Sequence, residues 1–353
     1  MLEIISIKDS TLWDNVVKSF STYDVYYLSG YVKPFQIHGD GDPYLLYYKE
    51  SCLRGISVVM KRDIAMEECF RGILPLGKYF DITTPYGYGG FLFEGDTSAS
   101  NLAKFNAIYI DTLSAEGIVS SFVRFHPLLQ NSKLLKSVYN IIDLGKTVHM
   151  DITSLETISQ NMKSKDRNTI RRSSKSGVEI LHSNDLKLFK EFKKIYNATM
   201  QNDNADSYYY FGDGFYKSLN RELISNYQMF YAVFQDEIIA MSIIIYANKQ
   251  MHYHLSGSKF EYRRLNPTNL LLYEAAKWGC SKGFVNFHLG GGVGSSEDNL
   301  FRFKKCFNRN SLNQYSIGQK IILEAVYKEL VALRRVEDEQ FDINSIYFPL
   351  YRA

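Results

Sequence analysis

At 353 residues, with 45% hydrophobic and 22% charged side chains, the chain exceeds one ordinary hydrophobic core and reads as two domains. A formal net charge of +3 excludes a dedicated nucleic-acid binder, though not a local basic patch. No apolar run approaches the roughly 18 residues of a membrane span, and MLEIISIKDS lacks the layout of a signal peptide, so the expected location is the cytoplasm.

In chain order, EIISI reads as a short strand and Thr11 to Phe20 as a helix, with Asp9 and Ser10 as cap candidates. Tyr44 to Asp63 reads as a hairpin turning near Ser51, followed by the glycine-rich, aromatic DITTPYGYGGFLF. Asn101 to Glu116 has helical spacing that Gly117 stops, and IVSSFVRFHPLL is a strand entering a proline-marked turn. After a boundary near Gly145 come helix Ser154 to Met162, the basic stretch SKDRNTIRRSSKSG, strand VEIL and helix Asp185 to Met200. Hairpin Gln228 to Lys249 and the aromatic strand MHYHLSGS lead through RRLNPTN into helix Asn269 to Lys282, closed by Gly283. Strand FVNFHLGGG and the basic-aromatic FRFKKCF follow. The second half thus repeats the outline of the first, which implies two copies of one αβ unit. The expected domains are 1–145 and 146–353, the second ending in the amphipathic helix IILEAVYKELVALRR, with a ligand cleft between them.

Several residue sets carry chemistry. Lys163, Arg167, Arg171 and Lys175 recur every four residues with Arg172 beside them, a positive stripe suited to a diphosphate, RNA or anionic lipid, or else to a solvated face. His288 ends a strand before Gly290, Gly291 and Gly292, where a histidine serves as a base or hydrogen-bonds the loop. In FRFKKCF, either Lys304 or Lys305 reaches a ligand to stabilise negative charge, or both are surface lysines. Tyr86 and Tyr88 on the glycine-loosened loop, Arg124 and His126 at a strand end, and Tyr209 and Tyr210 in YYYF line a sugar or peptide site or pack internally. His254, on the aromatic strand, joins the candidate substrate contacts. Cys52, Cys69, Cys280 and Cys306 lack paired ligand spacing, so no metal site is expected and they read as buried thiols, with Cys306, beside Lys304 and Lys305, the one candidate for a reactive thiol. RRLNPTN sits where glycine amides at a helix start would hold a pyrophosphate, yet Pro267 has no N–H and no glycine is present.

Taken together, TTPYGYGG, FVRFHPL, RNTIRRSSKSGVEI, YNATM with YYYF, HYHLSGS, NPTNLLLYEAAKWG, FHLGGG and FRFKKCF resemble the FemABX-like branch of the GNAT acyltransferase superfamily, over about residues 20 to 318. The resemblance implies an α/β (α+β) fold of two tandem GNAT-like domains, each a mixed, mostly antiparallel twisted sheet flanked by helices. It also implies that Lys33, in YVKPF, contacts the phosphates of a nucleotide-sugar precursor and that Lys304 lies near the reacting carbonyl. Gln201 departs from the arginine often found after YNATM, and the heptads of a coiled-coil arm are absent.

The leading expectation is an acyl- or aminoacyltransferase that forms an amide on an amine of a nucleotide- or lipid-linked cell-envelope precursor. It would have no tightly bound cofactor, and its donor would be aminoacyl-tRNA or an acyl-CoA. Here Lys304 and His288 are the catalytic candidates, with Lys33, Tyr86, Tyr88, Arg124, His126, Tyr209, Tyr210, His254, Gly290, Gly291 and Lys305 as substrate contacts. The alternatives are a coenzyme A-dependent N-acyltransferase acting on an amino sugar, and a non-catalytic module binding RNA or anionic lipid. Peripheral contact with an anionic membrane and a monomeric state complete the expectations.

Overall fold

The computed structural model describes residues 1–353 and falls into two units, each built on a mixed, mostly antiparallel sheet with flanking helices. In the first, strand Leu2–Ser6 pairs antiparallel with Asp42–Lys49, which turns back into Leu53–Asp63. That strand also pairs antiparallel with Phe80–Thr83 and Leu92–Gly95. Helix Ala99–Ala115 then carries the chain across, so that Ile118–Arg124 lies parallel to Phe80–Thr83. Leu102, Phe105, Tyr109 and Leu113, spaced three or four apart, form the buried stripe of this helix, each large side chain contributing roughly 1.5–3 kcal/mol. Gly117 ends it at φ +71°, where a Cβ would lie 2.4 Å from Lys78 O.

The second unit starts from strand Glu179–Ser183, which pairs with Tyr227–Phe234, then Glu237–Ala247, then Gln250–Ser258, all antiparallel. Gln235 and Asp236, both at positive φ, make the tight turn of the central hairpin. Helix Pro267–Ser281 returns the chain so that Asn286–Gly290 runs parallel to Gln250–Ser258, with the end of strand Asn140–Asp151 antiparallel on its other side. Leu270, Leu271, Ala275 and Ala276 of the helix share a core with Ile244, Met251 and Phe287 of the sheet. Each unit thus contains antiparallel strands followed by a parallel pair linked through a helix, the repetition expected from the sequence.

The sequence reading placed residues 1–145 in one domain and 146–353 in the other, whereas the compact units of the structure divide the chain end differently. The units are Met1–Leu144 with Tyr315–Ala353, and Gly145–Gln314. Strand Asn313–Ile321 pairs from Ile317 onward with Ile118–Arg124, and IIL, read as helix, is its end and exit. Helix Glu324–Glu337 then packs Leu330 against Ile64, Phe70, Val119 and Tyr351. Asp81, 1% exposed, holds the terminus: Arg62 Nε donates to its Oδ1 at 2.7 Å, and Tyr351 OH and Arg352 Nε both donate to its Oδ2.

Candidate functional site

In the second unit, the parallel strands share register only from Gln250–Asn286 to His252–His288. Beyond this point Tyr253–Ser258 remain paired with Glu237–Ala247, whereas Gly290 pairs with Val148. A β-bulge sits at the same level: Tyr253 faces Ile244 and Leu255 faces Ile243, which leaves His254 as the extra residue. His254 is half-buried, but its Nε2 is inside, and desolvation, with His252 adding to it, pushes its pKa down to about 3.

Histidines line up across the neighbouring strands. His288 is the register partner of His252 on one side and of His149 on the other, and directly opposed residues share a face. The His252 and His288 rings lie 5.7 Å apart, and both residues are buried. His149 Nδ1 lies 2.8 Å from Ser311 Oγ and 2.9 Å from Asn313 Nδ2, and burial lowers its pKa. Sequence reasoning singled out His288 and His254 but missed His149 and His252. Their alignment is a matter of register between strands far apart in sequence.

The glycines after His288 are required by close approach. Gly290 has φ +80°, a Cβ on Gly291 would lie 2.9 Å from Lys146 O, and one on Gly292 would lie 2.3 Å from Asp298 Oδ1. Asp298 also caps helix Asn299–Lys305: Phe301 N donates to its Oδ1 at 2.8 Å, and Val293 N to its Oδ2 at 3.2 Å. One carboxylate therefore fastens both the loop and the helix that carries Lys304. The Lys304 Nζ donates to Gly291 O at 2.6 Å from a site 7% exposed. Desolvation lowers the amine to about 8 against the opposing pull of Asp298. Lys305 points elsewhere, its Nζ donating to Ser311 O at 2.7 Å, so of the two lysines only Lys304 meets the glycine loop.

Helix Ser164–Lys175 buries Asp166, Ile170 and Ser173 and turns Arg171, Arg172 and Lys175 outward, with Lys163 exposed at its N-cap. Arg167 is a correction to the expected stripe. Its guanidinium donates to Ser159 O and Met162 O, closing the end of helix Leu155–Asn161. Cys306 is no reactive thiol, since burial, reinforced by Asp166, raises it to about 11. Tyr209 belongs to the turn Ser207–Tyr209, with its ring 5.4 Å from that of Tyr208, and Tyr210 is exposed beside it.

The first unit gathers Tyr86, Tyr88 and His126 into an aromatic cluster. Tyr26 packs edge-on against Tyr31, Tyr88 and His126 at 5.0, 5.6 and 5.8 Å, and Phe35 stacks on Tyr86 at 5.7 Å. His126 Nε2 lies 3.2 Å from Asp24 Oδ2, both side chains fully buried, while Leu129 N donates to His126 Nδ1. Asn131 fixes the loop in place: its Oδ1 accepts from His126 N and its Nδ2 donates to Gly89 O and Phe91 O. Lys33, half-buried, lies on helix Ser29–His38, which supplies Tyr31 and Phe35. Arg124 meets the same loop through its backbone, its carbonyl accepting from Gly89 N at 2.7 Å, while its guanidinium lies 5.1 Å over the Phe122 ring.

Residues 160–305, which span the bulged strand, the glycine loop and Lys304, match the family described as acetyltransferase (GNAT) domain. FemX superposes with a TM-score of 0.68 at 14% identity, covering 93% of this chain and 99% of its own. A C-terminal domain (DUF2156) assigned to a lysylphosphatidylglycerol synthetase of Agrobacterium fabrum gives a TM-score of 0.53 at 12% identity, covering 92% of this chain and 96% of its own. L-PGS from Bacillus licheniformis gives 0.53 at 11% identity, with 95% and 98% coverage. No curated protein sequence matches the chain. At these identities the solved structures speak for the fold alone. Residues 160–305 thus match the GNAT acetyltransferase domain family, and the chain shares the fold of FemX over nearly its whole length, the fold that the FemABX-like resemblance of its motifs implied.

Proposed function

We propose that the protein transfers an acyl or aminoacyl group to an amine of a nucleotide- or lipid-linked cell-envelope precursor, with Lys304 as the residue that stabilises the developing oxyanion. One observation carries the reading: a nearly buried ammonium, docked on the glycine loop by one of its three donors, where the parallel strands of the GNAT domain cease to pair. Amide formation from an ester or thioester needs the amine to attack the carbonyl carbon, lose a proton and expel the alcohol or thiol. A desolvated cation held in place lowers that barrier through electrostatics more than through proton transfer. His288 is the candidate proton acceptor, with His149 and His252 beside it in register.

The helix start favours aminoacyl-tRNA over a coenzyme A thioester as donor. The amides of Asn266, Asn269 and Leu270 are already engaged with Arg263 O and Asn266 O, and Pro267 has none, so little of a pyrophosphate cradle remains. The match to an acetyltransferase domain supports the second reading, a coenzyme A-dependent N-acyltransferase. A thermal-shift panel of coenzyme A thioesters, nucleotide-linked sugar precursors and charged tRNA separates the two, because a ligand that binds the native state raises its melting point. Stabilisation by charged tRNA and precursor supports the proposal. Stabilisation by acetyl-CoA alone, with acetyl transfer to an amino sugar, replaces it with the second reading.

A further inference from the structure

The outward cations of helix Ser164–Lys175 have no part in the proposed chemistry. Its single acid, Asp166, faces inward, so Lys163, Lys165, Arg171, Arg172 and Lys175 project without a neutralising partner on their own helix. The inner face packs against helix Pro267–Ser281, and Ser173 Oγ donates to Asn266 O at 3.4 Å. That bond brings in the preceding turn, Phe260–Leu265, which adds exposed Arg263 and Arg264 against one exposed acid, Glu261. Phe260 on the same turn is 59% exposed, with the Arg263 guanidinium 4.1 Å above its ring. The surface therefore combines a cationic helix face with one large apolar side chain, although the chain as a whole carries only +3.

We infer that this surface docks on an anionic lipid bilayer. Basic side chains near a phosphatidylglycerol- or phosphatidylserine-bearing leaflet each add to binding within a Debye length, and an aromatic side chain settles at the headgroup boundary. RNA fits less well, since the surface offers a single exposed aromatic ring for base stacking and Arg263 occupies one of its faces. Behind the surface, Ile170 shares a core with Phe301 and Phe307, which flank Lys304. Docking would thus hold the Lys304 helix close to the membrane, where a lipid-linked acceptor is found. The inference adds a partner to the proposed function, but binding is read with neither donor nor acceptor present.

The test is flotation of the full chain with vesicles of phosphatidylcholine alone and with vesicles containing roughly one-third phosphatidylglycerol. Binding is expected only to the anionic vesicles and is expected to fall as salt is added. Arg171→Gln with Arg172→Gln should weaken it about thirty-fold, Phe260→Ser should weaken it further, and Lys187→Gln with Lys190→Gln at the start of helix Leu188–Asn202 should not. Unchanged melting transitions show that the variants are folded. Equal binding to both vesicle types, no binding, or equal loss in the control pair overturns the inference, as does duplex RNA binding sensitive to the arginine pair with vesicles ignored. Lys304→Met should cut turnover about 100-fold and leave flotation intact, so the two proposals fail separately.

Discussion

Lys304 Nζ and Gly291 O are 2.6 Å apart, and the bond joins the helix after the glycine loop to the loop itself. Asp298 secures the same two elements through Phe301 N and Val293 N. Loop glycines, capping carboxylate and buried amine act as one assembly: the glycines admit the close approach, the carboxylate sets the helix, and the helix sets the amine.

That assembly fixes a pH dependence. The charged amine is the form that stabilises an oxyanion, and burial lowers it to about 8, so turnover should decline as pH rises through that value. Lys304→Met should cut kcat about 100-fold at pH 7. Asp298→Asn keeps a residue able to cap the helix but removes a charge that holds the amine up, and it should move the alkaline limb to lower pH. Rate profiles of the two variants check this, and an unmoved limb in Asp298→Asn would exclude the electrostatic link.

His254 should make the fold sensitive to acid. An unfolded imidazole takes up a proton as pH falls through about 6.5, whereas the folded one stays neutral until about 3. Unfolding therefore draws in protons across that window, and stability is lost as pH falls through it. His149, lowered by burial, acts in the same direction. His254→Gln should flatten the slope of stability against pH between these limits, as urea melts at a series of pH values would show. An unchanged slope counts against a neutral buried ring.

Much of this was legible in the sequence wherever the signal is local. The order of strand, turn, helix, strand and helix through residues 250–305 follows from periodicity, Pro267 at the first helical turn, Gly283 beyond the last and the HLGGG run. Asn266 shows the limit of such signals. It holds the cap position in a left-handed conformation, and its side chain donates to Arg264 O instead of capping. The row of histidines, the bulge at His254 and the docking of the chain end on Asp81 depend on register or on partners hundreds of residues away, and no composition or spacing carries those.

Gly87 offers a test of the loop TTPYGYGG. Its φ of +95° costs any other residue about 1–3 kcal/mol, and a Cβ there would lie 2.4 Å from the Tyr26 ring. Gly72 has a similar φ of +79° with open space around it. Gly87→Ala should therefore destabilise the fold clearly more than Gly72→Ala, the difference reporting the steric clash with Tyr26. Equal losses in denaturant melts would mean that the ring moves aside freely.

The chain end yields the sharpest stability prediction. Arg352 is 6% exposed and Asp81 1%, and Arg352 also reaches Glu67, so the guanidinium is buried among acids that hold its charge in place. Losing one member of a buried pair leaves the other uncompensated, at a typical cost of 3–5 kcal/mol. Arg62 still contacts Asp81 after Arg352→Ala, so the expected loss lies near the lower end, about 3 kcal/mol. Asp81→Asn should cost less once Arg352 is gone than in the intact protein, because the two residues form one network. A double-mutant cycle by urea denaturation reads the coupling directly. Strict additivity would show that the terminus is held by Tyr351 and Leu330 packing alone, and that the ion pair does not secure the final segment to the first unit.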